Sequence, residues 1–206
     1  MYEIFVSAFV ALFVIIDPIG IAPVFAALTH GSTAKHQRLM AFKGVFIGML
    51  ILMFFAFMGK PFLGALGISL DALRIAGGLM LFIIALEMVF EKRTARKQEA
   101  AEKLDEYFED ISVFPIALPM LAGPGAITAV MLAVADAGSD TAAQIAVTGA
   151  LAVVMLISLV VFLAAGPVMK LLGPTVKAVL TRLLGVILAA LATQFVLDGL
   201  RNSFGG

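Results

Sequence analysis

No cysteine occurs in the 206 residues of this chain. That absence removes disulfides, thiol redox chemistry and thiolate metal sites together. Charge is scarce as well: Asp, Glu, Lys and Arg make up 14% of the residues, where a soluble domain has about 25%. So few charges cannot clothe a water-soluble surface. Those present balance to a formal net charge of zero, so bulk electrostatics points to no nucleic acid and no acidic partner. The histidines are His30 and His36, and no His-Glu-x-x-His run is present, which leaves a zinc intramembrane protease unsupported. There is no P-loop and no arginine ladder. Gly67-Ile68-Ser69-Leu70 lacks the second glycine of a nucleophile elbow. The chain is therefore expected not to be an enzyme, and no cofactor or metal site is expected.

What the chain has in abundance is apolar sequence: 62% hydrophobic residues and a mean hydropathy of +1.11. These residues come in blocks of about 20, the length that crosses roughly 30 Å of hydrocarbon. Six blocks run approximately from Ile4 to Leu28, Leu39 to Met58, Ala72 to Phe90, Ile111 to Ala135, Ala142 to Ala165 and Val176 to Leu197. Lipid leaves an open chain no way to satisfy its backbone except as helix. The expected fold is an all-α polytopic membrane protein with six transmembrane helices, leaving no room for a soluble catalytic domain. Met1-Tyr2-Glu3 carries no basic n-region, so the first block is read as a retained span.

With six crossings both termini share a face. Of the 14 Lys and Arg residues, all but Lys60, Arg74 and Arg201 fall on the opposite face. The excess of positive charge marks the cytoplasmic side, so both termini are expected outside the cytoplasm. Residues 91–110, dense in Glu, Lys and Arg, become a charged cytoplasmic linker.

That linker divides two halves with the same punctuation. At one offset Pro18 matches Pro124, Pro61 matches Pro167, Leu66 matches Leu172 and Gly67 matches Gly173; two residues further out of step, Arg74-Ile-Ala-Gly77 matches Arg182-Leu-Leu-Gly185. Each half has three spans, so a repeat must insert in opposite orientations, as in many secondary transporters. The expected domains are a first three-helix repeat over 1–90, the linker, and a second over 111–206.

The first span of each half is interrupted, and paired interruptions are the best sequence pointer to a transporter's site. In the first, Asp17-Pro18-Ile19-Gly20-Ile21-Ala22-Pro23 predicts an unwound segment, because each proline removes a backbone donor and Gly20 admits unusual conformations. In the second, Gly123-Pro124-Gly125 breaks the helix, and the helix resuming there would aim its partial positive charge at the break. Asp17 is an ionisable residue inside a span, a functional candidate by default; it also has the sequence of an N-cap followed by proline at the first helical position. Thr128 lies one turn past the second break, within reach of a ligand, although a span threonine more often bonds its own helix. Arg74 and Arg182 open their spans and read as snorkelling residues. Glu87 and Asp198 read as span-end groups reaching headgroups or water. Gly44-x-x-x-Gly48, Gly77-Gly78 and Gly185 read as close-packing positions.

Leu12-Phe-Val-Ile-Ile-Asp17-Pro-Ile-Gly20-Ile-Ala-Pro23-Val-Phe25, Ile116-Ala-Leu-Pro119-Met-Leu-Ala-Gly123-Pro-Gly-Ala-Ile-Thr128 and Arg74-Ile-Ala-Gly-Gly78 together resemble the MarC family of bacterial inner-membrane proteins, also called UPF0056. The resemblance covers essentially the whole chain. It departs at Ile21, where the family pattern usually has Asn. The resemblance implies a carrier of small neutral amino acids, alanine and glycine being candidates, organised like the lysine-exporter-like carriers with three spans plus three. The expected substrate-binding residues are Asp17, Pro18, Gly20, Gly123, Pro124, Gly125 and Thr128. The expected partners are a small-molecule substrate, a coupling proton or sodium ion, and membrane lipid; a homo-oligomer stays open. An ion or metal carrier, or a non-transporting membrane scaffold, are the alternatives.

Overall fold

The computed structural model of the chain describes residues 1–92 and 110–204. Most of the charged linker, 93–109, lies outside the described residues. Helices α1 (Tyr2–Ile16), α2 (Pro18–Leu28), α3 (Ala34–Ala65) and α4 (Leu70–Val89) form the first half. The second half has a wide-turn segment, Ser112–Leu121, followed by α5 (Pro124–Ala137), α6 (Thr141–Leu163) and α7 (Ala165–Phe204). There is no strand among the described residues. Five stretches, Tyr2–Leu28, Ala34–Ala65, Leu70–Val89, Thr141–Leu163 and Ala178–Phe204, are each long and apolar enough to cross a membrane. Ser112–Leu121 and α5, bent by 58° at their junction, make a sixth if the bent pair is counted as one span.

Polar side chains start the helices where the apolar blocks begin. Thr33 caps α3 by accepting from His36 N–H at 3.3 Å, and Ser69 caps α4 through Ala72 N–H at 3.0 Å. Asp140 caps α6 through Ala142 and Ala143 at 2.9 and 3.3 Å. Each satisfies donors that the first turn leaves unpaired. The turns preceding α3 and α6 place Gly31 and Gly138 at positive φ, and those preceding the third spans do the same with Gly67 and Gly173.

Two expectations are corrected. The helix of the second span does not stop with its apolar block at Met58 but runs through Gly59, Lys60 and Pro61 to Ala65. Hydropathy fell there while helix geometry continued; 32 residues at about 1.5 Å each exceed the bilayer core. The fourth span, expected helical from its start, is not. Phe114 and Leu118 are extended, and both precede prolines in cis linkage. Proline disfavours helical geometry in the residue before it, and here two prolines sit four residues apart. The segment therefore turns widely, with Ile116 N–H donating to Ile111 O at 3.3 Å and Ala122 N–H to Ala117 O at 2.8 Å.

Small residues seat this segment. A side chain at Gly44 would meet Ile116 at 2.6 Å and the Ser112 carbonyl at 3.3 Å, and one at Gly48 would meet Leu121 at 3.2 Å. The Gly-x-x-x-Gly of α3 is thus a groove for an irregular neighbour, consistent with its reading as a packing motif. Elsewhere α4 packs most extensively on α7, α1 on α6, and α5 against α3 and α4, while α2 packs on α6 and α7. Leu12, Ile16, Ile21, Leu81, Ile116, Leu121, Leu151 and Leu188 are fully buried among these elements. Phe25 and Phe162 stack at a centroid distance of 4.8 Å, with planes 7° apart, worth about 0.5–1.5 kcal/mol beyond the area they bury. The outside is as apolar as the inside: Phe42, Phe46, Phe54, Phe62, Leu156, Val160, Leu183 and Val186 are exposed. Water would not tolerate that surface, whereas lipid would.

Just before the fourth span, Asp110 accepts from the Ser112 hydroxyl and from Ser112 N–H at 3.0 Å, and pairs with Lys43 at 3.0 Å. Those contacts, Ser112 foremost, hold its carboxyl at about 2, below the usual 3.8. A depressed carboxylate stabilises the fold above its unfolded pKa, and that contribution is lost as pH falls through the folded value. Asp110→Ala is expected to lower stability in detergent by about 1 kcal/mol at neutral pH, the usual worth of such a cap. The two proteins should converge as pH drops from 3.8 to about 2. Thermal melts across that range check it; a gap that persists below the lower value would contradict it.

Candidate functional site

The first break is one residue wide. Asp17 adopts left-handed geometry, φ 57° and ψ 62°, between two intact helices. Its N–H donates to Phe13 O at 2.9 Å, ending α1, and its carbonyl accepts from Ile21 N–H at 3.1 Å, starting α2. Its side-chain Oδ1 accepts from Gly20 N–H at 3.0 Å. Pro18 occupies the first helical position, where its missing N–H matters least. The expected unwound stretch through Pro23 is corrected: Pro23 lies inside α2. One left-handed residue suffices to redirect the chain, and aspartate is among the few L-residues that accept that geometry.

Gly20 is where this arrangement needs a glycine. A Cβ there would stand 2.0 Å from Asp17 Oδ2 and 2.8 Å from Oδ1. Asp17 is 3% exposed, a carboxylate folded over the first turn of α2 inside the protein.

The second break lies between the wide-turn segment and α5. Gly123 is extended, φ −74° and ψ 167°, and no side chain caps the helix that Pro124 opens. The first turn of α5 therefore presents backbone N–H groups and the positive end of its dipole at the break. A Cβ at Gly123 would lie 2.6 Å from the Pro119 carbonyl, so the chain doubles back closely there.

The second break packs against the end of α1, just before the first. A Cβ on Gly125 would touch Ile15, two residues before Asp17, at 3.6 Å, and would collide with Leu81 of α4 at 2.7 Å. Thr128 fits a notch in α4: a Cβ on Gly77 would lie 2.1 Å from its Cγ2. Thr128 is buried, so packing against α4 is the role its position displays. A cavity of ≈ 260 Å³, lined by Ala56, Lys60, Pro61, Met131, Gly138 and Gln144 among others, opens farther along α5. None of the expected binding residues lines it.

Arg74 ion-pairs with Asp136 at the last turn of α5, and lies 3.9 Å from Asp71; Arg182 pairs with Glu91 at 2.9 Å. Both arginines thus sit at span ends and tie neighbouring elements together. Glu87 lies near the end of α4, half-buried with its Oε2 enclosed. The Gly77 notch and the Phe25–Phe162 stack were missed. The first is hidden because a glycine pair in a span reads only as close packing, and the second because the rings come from distant spans with no local signal.

A family model described as MarC family integral membrane protein matches residues 2–204. The chain is similar to a UPF0056 membrane protein of Methanocaldococcus jannaschii, 40% identical over 98% of each chain. It is similar to another of Archaeoglobus fulgidus, 36% identical over 95% of this chain and 92% of the relative. It also resembles the UPF0056 membrane protein YvbG of Bacillus subtilis, at 33% over 99% and 97%. These relatives are archaeal as well as bacterial. No solved structure matches the chain.

Proposed function

The chain belongs to the MarC family of integral membrane proteins, and from that premise we propose that it is a secondary transporter of a small neutral amino acid or similar zwitterion. The observation that carries the reading is the approach of the two breaks, Ile15, two residues before Asp17, packing against Gly125. The uncapped start of α5 offers N–H groups to a carboxylate. Asp17 offers a negative partner for the ammonium or for a coupling proton or sodium ion. Discontinuous helices in the first span of each half are where such carriers hold substrate.

The inverted repeat belongs to the same proposal. The two halves match in their proline-opened half-helices α2 and α5, in their positive-φ glycines, and in the caps Thr33 and Asp140. Packing is reciprocal too. The α1 contact with α6 corresponds to the wide-turn segment on α3, and that of α2 with α7 to α5 on α4. A Cβ on Gly78 would meet the Ala192 carbonyl at 2.7 Å, and one on Gly185 the Ala85 carbonyl at 3.1 Å, so the third spans approach closely from both sides. Positive charge concentrated on the linker side supports termini outside the cytoplasm.

One observation favours a second reading, a non-transporting scaffold: Asp17 is buried and already serves as a helix cap. Asparagine separates the two. It caps as well as aspartate and accepts left-handed geometry, so Asp17→Asn is expected to keep stability within about 0.5 kcal/mol. The same change is expected to abolish the thermal stabilisation of purified protein by glycine, alanine or another small neutral amino acid. Undiminished stabilisation in the variant would remove Asp17 from the site; a panel that stabilises neither protein would favour the scaffold.

A further inference from the structure

The two halves share proline-opened half-helices, although the wide-turn segment stands in one where α1 is intact helix in the other, and they differ at one further pair of buried positions. At the offset that pairs Pro18 with Pro124 and Pro61 with Pro167, Phe25 corresponds to Met131 and Phe162 to Ala56. Phe25 and Phe162 are each 2% exposed and stacked face to face. Ala56 and Met131 line the cavity of ≈ 260 Å³ instead. The same structural place is plugged by two rings in one half and open in the other.

The two places lie on opposite sides of the protein. The cavity is bounded by Pro61 near the end of α3, and by Gly138 and Gln144 around the turn into α6. Successive crossings put those segments on the side of the termini. Phe25 lies near the end of α2 and Phe162 at the end of α6, which the same count puts on the linker side.

We propose that the Phe25–Phe162 stack is the closed gate on the linker side, and that the cavity at Ala56, Lys60, Met131 and Gln144 is the open vestibule on the side of the termini. The inference rests on the transporter reading and adds to it a sidedness and a place for substrate to arrive. A repeat inserted in opposite orientations can exchange the conformations of its halves, opening one side as the other closes. The vestibule suits a small carboxylate-bearing solute: Lys60 and Gln144 line a wall of mixed polar and apolar character. Met131 is unbranched and adaptable, able to fill the space when that side closes.

The absence of native cysteine makes the test direct. Single cysteines are placed in proteoliposomes whose orientation is fixed by protease access to a C-terminal tag, and are probed with a charged, membrane-impermeant methanethiosulfonate. Val134→Cys, in the vestibule wall, is expected to react from the side of the termini. Ser158→Cys is nearly isosteric and fully buried, one turn inward from Phe162. From the linker side it is expected to react about 10- to 1,000-fold more slowly than an exposed thiol, the range set by a minor open state. Adding Phe25→Ala should bring Ser158→Cys to a fast rate from that side, and Phe162→Ala should do the same if the first variant does not fold. Leu151→Ala, an equally buried truncation outside the stack, should leave it slow.

Fast labelling of Ser158→Cys before either ring is removed would overturn the gate, as would slow labelling after both are. Val134→Cys reacting only from the linker side would overturn the vestibule. These readouts need no substrate. Sidedness with no amino acid flux would therefore sink the transporter reading alone, and flux without sidedness would sink the gate alone.

Discussion

Gly20→Ala is expected to be more damaging than any change of one methyl group on the protein's exterior. The added carbon would fall 2.0 Å from Asp17 Oδ2 and 2.6 Å from Cγ, well inside contact distance. The carboxylate must leave its place over the first turn of α2, and the hydrogen bond from Gly20 N–H goes with it. Loss of such a cap costs about 1 kcal/mol, and overfilling a packed interior about 1–3 kcal/mol more. Asp17 has little room to retreat, since Ile15, Ile16, Ile21 and Ala22 around it are buried. A fall of about 2–4 kcal/mol in detergent-solubilised stability is expected, together with loss of amino acid binding even where folded protein is recovered. Gly31→Ala, in an open turn with nothing within 4 Å of the added carbon, controls for loss of glycine as such, at the smaller cost of strain at positive φ. Equal melting points for Gly20→Ala and the native protein would mean that the carboxylate is not held where it is described.

The second large effect is at the crossing of α4 and α7. A Cβ at Gly78 meets a backbone carbonyl, that of Ala192 at 2.7 Å, and Val196 Cγ2 at 2.7 Å. A carbonyl inside a helix cannot rotate away, so the two helices must separate. The same holds in reverse at Gly185 against the Ala85 carbonyl. Each Gly→Ala substitution is expected to cost about 1–3 kcal/mol, and Gly78→Leu more, because close backbone approach is what joins helices in a solvent as apolar as they are. Gly64→Ala on α3 meets nothing within 4 Å and is expected to be neutral or stabilising by about 0.5–1 kcal/mol through helix propensity. Thermal unfolding of the four variants checks this. Gly78→Ala behaving like Gly64→Ala would show that the crossing is not close.

What the residues disclosed and what they hid have a common physical origin. The run of five to six apolar spans and the places of both breaks were legible; the breaks were so because Asp17-Pro18 and Gly123-Pro124 are local signals that act through one residue's backbone. The width of the first break was not legible. Asp17 alone absorbs the turn, and α2 tolerates Pro23 in its interior. The irregular course of Ser112–Leu121 follows from Pro115 and Pro119, whose joint effect depends on α3 supplying a groove at Gly44 and Gly48. Which face of each span points inward was hidden most thoroughly. In water a helix announces its buried face by contrast; here Phe46 faces outward and Phe25 inward, and both solvents favour the same residue types. The approach of the breaks, the Gly77 notch for Thr128 and the ring stack are all contacts between such faces.

The account's central claim, that the two breaks together bind and carry a small zwitterion, is tested most directly by flux. Purified protein in proteoliposomes would be loaded with unlabelled alanine and assayed for uptake of radiolabelled alanine or glycine, with and without a proton or sodium gradient. The account predicts uptake above protein-free vesicles that is lost in Asp17→Asn, although that variant remains folded. Uptake that Asp17→Asn leaves unchanged, or none for any small neutral amino acid under any gradient, would contradict it.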